Sequence, residues 1–80
     1  MNYEVFSAVL DEPVADIKKG DDIILVSRED GHLSLLSEEC FLRTGGIDFM
    51  KQIKPKLAEL NYRPSKSMPR IKDLKMIDVI

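Results

Sequence analysis

Eighty residues, 44% hydrophobic and 32% charged with a net charge of −2, specify one ordinary globular domain over 1–80 rather than a disordered chain. The single cysteine, Cys40, excludes an internal disulfide, and no apolar run approaches the roughly 20 residues that span a bilayer. A chain of this size buries only about 60–65% of the surface its unfolded form exposes, so its core is thin.

The overall charge hides a segregation. Residues 1–40 carry ten acids against three bases, a charge of −7, whereas residues 41–80 carry four acids against nine bases, a charge of +5. The N-terminus has no basic segment followed by an apolar one, so no secretory signal is expected, and a reducing cytoplasm is the expected compartment. The chain runs from Met1 to Ile80 and reads as a complete small product.

Residues 2–10 alternate and are rich in β-branched and aromatic side chains, which argues for a strand. Pro13 after an acidic cap, with Val14 and Ile17 three apart, suggests one short helical turn over 13–18, closed by Gly20. Next come two apolar runs around Asp30-Gly31, a strong hairpin signal, giving strands 22–28 and 32–37. A two-residue loop would set Arg28 opposite Leu33, Val26 opposite Leu35 and Ile24 opposite Ser37. A three-residue loop with Gly31 in a bulge is the competing register.

Ser37-Glu38-Glu39-Cys40 has the cap and first-turn acids of a helix start, and Thr44-Gly45-Gly46 supplies a stop, so a short helix is expected near 38–44. Ile47, Met50, Ile53, Leu57 and Leu60 keep helical spacing through Pro55 and predict one kinked helix over 48–60. Pro64 and Pro69 mark a connection over 62–70, and 73–80 reads as a last strand. Leu74, Met76 and Ile80 would share one face of it with Asp78, and Ile77 and Val79 the other. The fold class is therefore α+β: a small antiparallel sheet of about four strands, with the kinked helix packed on one face and a short helix beside it.

Reactive chemistry is sparse. His32 is the only histidine, expected at a solvated turn away from Cys40, which reads as core filler; no nucleophile-base pair results. No ligand spacing marks a metal site, and Gly45-Gly46 lacks the residues of a phosphate loop. No cofactor, metal or catalytic residue is expected, and the chain reads as non-enzymatic. Lys18 to Ile23 and Asp30 to Leu35 resemble the second half of the swapped-hairpin AbrB-type DNA-binding domains, which implies nucleic-acid contact. Residues 1–17 are acidic where that family has a basic strand, and the family is not adopted.

Charge is what remains to meet a partner. The expected acidic contacts are Asp11, Glu12, Asp16, Asp21 and Asp22; the basic ones are Arg63, Lys66, Arg70, Lys72 and Lys75. The resulting expectation is a small binding protein, of the kind phages and mobile elements encode, that regulates or inhibits a protein partner in the cytoplasm. The alternative is a nucleic-acid-binding regulator using 63–75. The two charged groups could also pair with each other, within one chain or between two copies of a homodimer.

Overall fold

The computed structural model describes residues 2–28, 33–56 and 69–80. Four strands form one antiparallel sheet: β1 (Tyr3–Leu10), β2 (Asp22–Arg28), β3 (Leu33–Ser37) and β4 (Ile71–Val79), in the order β3-β2-β1-β4. Two short helices, α1 (Glu38–Arg43) and α2 (Gly46–Gln52), follow β3, and a 3-10 turn occupies Lys54–Lys56. This is the expected small α+β architecture. Among the described residues no helix is long and apolar enough to cross a membrane.

The sheet carries apolar side chains on both faces. On the helix side Tyr3, Val5, Ile24 and Val26 meet Phe41 of α1, Met50 of α2 and Ile80 beyond β4. On the other side Ala8, Leu10, Ile23 and Leu25 form a second cluster, packed against Val14 and Ile17 of the β1-β2 loop. The run Ile23 to Val26 is thus buried alternately into two cores, which is why it reads as continuous apolar sequence.

The hairpin register differs from the expected one. Leu25 lies opposite Leu35, Ile24 opposite Leu36 and Ile23 opposite Ser37. The expected pairing of Val26 with Leu35 is therefore off by one residue. The one-residue shift sends Leu36 to the helix-side cluster and Leu33 and Leu35 to the other. A one-residue slip normally exposes a strand's apolar set. Here either register finds apolar partners, so alternation along the strand cannot choose. The Asp30-Gly31 turn lies outside the described residues.

Three further expectations change. Residues 13–18 are not helical: Val14 and Ile17 exchange backbone hydrogen bonds of 3.0 and 2.8 Å across a tight turn, with Ala15 at φ 50°. The α-helix expected over 48–60 starts earlier, at Gly46, and stops at Gln52. Pro55 has no N–H for the next helical bond, and its ring would press on the Lys51 carbonyl, so the chain tightens into the 3-10 turn instead. The remainder of that expected helix, 57–60, lies outside the described residues. Finally, β4 is bulged. Register shifts opposite Phe6 and Ala8 put Met76 and Val79 on the face away from the helices, and Asp78 and Ile80 on the helix face, so Met76 and Ile80 do not share a face.

Candidate functional site: an acidic depression beside an edge strand

Residues 20–22 and 37–43 lie together at one end of the sheet. Gly20, at φ 93°, turns the loop back so that its N–H donates to the Leu10 carbonyl at 2.8 Å. Asp21 then braces the loop, its Oδ2 accepting from the Lys18 N–H at 3.2 Å. β2 starts at Asp22. Across the strand pair Ile23 faces Ser37, so Asp22 at the head of β2 and Glu38 after β3 are brought to the same end. Ser37 caps α1 by accepting from the Cys40 N–H at 3.2 Å, which holds Glu38 and Glu39 in the first helical turn.

Two adjoining shallow depressions result, and both are bordered by Asp21, Ser37 and Glu39. One, of about 430 Å³, adds Asp22, Glu38 and Leu42. The other, of about 500 Å³, adds Asp16 and Ile17 from the loop, Leu35 and Leu36 from β3, and Cys40 and Arg43 from α1. Five carboxylates therefore rim a partly apolar floor, with Arg43 the one cation bordering it among the described residues. None of the five forms a salt bridge among the described residues. No three His, Cys, Asp or Glu side chains among those residues are grouped so as to hold a metal ion. The acids are spread along a groove, a spacing that suits a long cationic side chain or a basic strip of chain.

The expected acidic residues divide. Asp16, Asp21 and Asp22 border the depressions. Asp11 and Glu12 are instead occupied within the chain: Lys19 Nζ stands 4.0 Å from Asp11, and Arg70 Nε donates to Glu12 Oε2 at 3.0 Å. The Asp11 N–H also donates to the Arg70 carbonyl at 2.9 Å, so this contact fixes the start of β4 against the end of β1.

Of the expected basic residues, Arg63 and Lys66 lie outside the described residues. Arg70 is paired as above. Lys72 and Lys75 are exposed on β4, opposite Val9 and Ser7. A second cross-element pair, Lys51 Nζ to Asp78 Oδ2 at 3.7 Å, ties α2 to β4. Of these pairs, Arg70 with Glu12 joins the basic half of the sequence to the acidic one.

Glu38 and Glu39 were legible only as helix-capping acids. The signal that they join Asp21 and Asp22 was the hairpin itself, since any antiparallel pairing of 22–28 with 33–37 returns the chain to residue 22. Cys40 borders the same groove and is half-buried; His32 lies outside the described residues. No family model, curated protein or solved structure matches this chain.

Proposed function

We propose that this chain is a small non-enzymatic binding protein that regulates or inhibits a cytoplasmic protein partner, which it holds through the acidic depression between the β1-β2 loop and α1. The observation that carries the reading is the convergence of Asp16, Asp21, Asp22, Glu38 and Glu39, all without ion-pair partners among the described residues, on one concave surface. A concentration of acids at one end of a molecule this small steers a basic partner and selects against acidic ones. Phage and mobile-element products that act on host machinery are the setting we favour.

Affinity capture from host lysate tests this. Wild-type protein should retain a partner at about 50 mM salt and release most of it near 500 mM, where surface charges are screened. The variant Asp22→Lys/Glu38→Lys/Glu39→Lys should capture none of it. Equal capture by both proteins would remove the depression from the account.

A nucleic-acid-binding role for 63–75 is the competing reading, supported by the exposure of Lys72 and Lys75. It is weakened by the engagement of Arg70 with Glu12. Filter binding with Lys66, Arg70 and Lys72 each replaced by Glu separates the two readings: salt-sensitive retention of nucleic acid by the wild type alone would favour the basic segment. A homodimer joined acid to base would instead double the mass in light scattering and blunt capture by the wild type.

A further inference from the structure

The two edges of the sheet differ in kind. β4 is guarded: its pairing with β1 is bulged twice, it carries Lys72 and Lys75, and the Asp78 carboxylate takes the Val79 N–H at 2.7 Å. These are the devices that keep an edge strand from recruiting another chain. β3 has none of them. Its sequence, Leu33-Ser34-Leu35-Leu36-Ser37, holds no charge and no proline, and its register against β2 runs without a shift. Among the described residues it pairs with β2 alone.

The larger depression runs along this unguarded edge. Leu35, Leu36 and Ser37 border it in succession. Successive side chains of a strand point to opposite faces, so a groove bordered by three in a row follows the edge and not one face. The loop at Asp16 and Asp21 stands on one side and α1 at Glu39 and Arg43 on the other.

We propose that β3 is a docking edge that accepts an extended, cationic segment of the partner as a fifth strand of the sheet. The inference rests on the proposed binding role and adds the conformation and chemistry of what is bound. Backbone groups of β3 supply affinity that is independent of side chains, as in other strand-addition complexes. Alternate side chains of the incoming strand lie over Ile17 and Leu35, and a lysine or arginine reaches Asp16, Asp21 or Glu39. The edge of β3, unpaired among the described residues, carries the proposal, and the carboxylates decide which strands are taken.

The test is a titration of the isotope-labelled full chain with an alternating Val-Lys peptide, read by amide hydrogen exchange and chemical shift. Slowed exchange confined to the β3 amides Leu33 to Ser37 is expected, with saturable binding. The same peptide N-methylated along one edge should lose binding while the protein is unchanged. An alternating Val-Glu peptide should not bind. Asp16→Lys/Glu39→Lys should weaken the Val-Lys peptide by about tenfold.

Three results would overturn the proposal. Tight binding of the N-methylated peptide, or of oligolysine with no β3 protection, would leave the acidic depression in use but remove strand addition. Absence of any Val-Lys binding would remove the docking edge, while lysate capture would still judge the binding role. Concentration-dependent β3 protection in the free chain, with a dimer mass by light scattering, would give the edge to a second copy.

Discussion

Gly45 holds the turn between α1 and α2 in a conformation that side chains resist. Its φ is 118°, and a Cβ there would stand 2.8 Å from the Cβ of Phe49. Gly20 is also left-handed, at φ 93°, but a Cβ there would meet nothing within 4 Å. Gly20→Ala should therefore cost only the backbone strain, about 1–2 kcal/mol, and Gly45→Ala distinctly more, because the turn must also move. Urea denaturation of the two variants ranks them; equal midpoints would contradict this account of the turn. Ser37 serves α1 and the depression together. Its Oγ accepts the Cys40 N–H, so Ser37→Ala should lower stability by about 1 kcal/mol and Ser37→Asp should restore it. A neutral Ser37→Ala would mean that tertiary packing, not the cap, positions Glu38 and Glu39.

Among the elements, β1 and β2 are the frame, and everything else is set by what leans on them. β1 was legible from its alternation and β-branched content and β2 from the apolar runs around Asp30-Gly31, and 22–28 is observed with the expected bounds. Register was not legible, because Ile23 to Val26 is buried toward both clusters and either pairing of Leu33, Leu35 and Leu36 is apolar. The faces of β4 were not legible either, since two bulges break the alternation from which they were read. The end of α2 illustrates a different limit. The spacing of Ile47, Met50 and Ile53 continues past Gln52, but Pro55 overrides it. Pro55→Ala should let the helix run on through Ile53 to Lys56, shifting their ¹³Cα resonances downfield toward helical values. Unchanged resonances would assign the stop to packing beneath Ile53. At the site, the acids of 11–22 were legible as a charged cluster, but which of them were already spoken for was not. That depended on Arg70 returning beside Glu12 across 58 residues of chain, which composition does not reveal.

For the molecule as a whole, the thin core and the divided charge belong to one description. Val5, Leu10, Ile23 and Leu25 have no exposed surface, and between them they anchor both clusters. Leu25→Ala removes about 2–5 kcal/mol, comparable to the whole stability of a domain this small. It should unfold the protein at or near room temperature, and a cooperative native melt close to the wild type's would refute the two-cluster description. With so little interior, the proposed binding role rests on the surface. Part of its charge closes the fold, through Arg70 with Glu12 and Lys51 with Asp78. The acids around the β2 and α1 starts are left facing outward.

The most direct measurement is chemical-shift mapping of the isotope-labelled chain against the partner recovered by capture. The account expects perturbations centred on Asp16 to Ile23 and on Leu35 to Arg43, fading as salt is raised. Perturbations centred on Ile71 to Val79 instead, with the depression untouched, would contradict it.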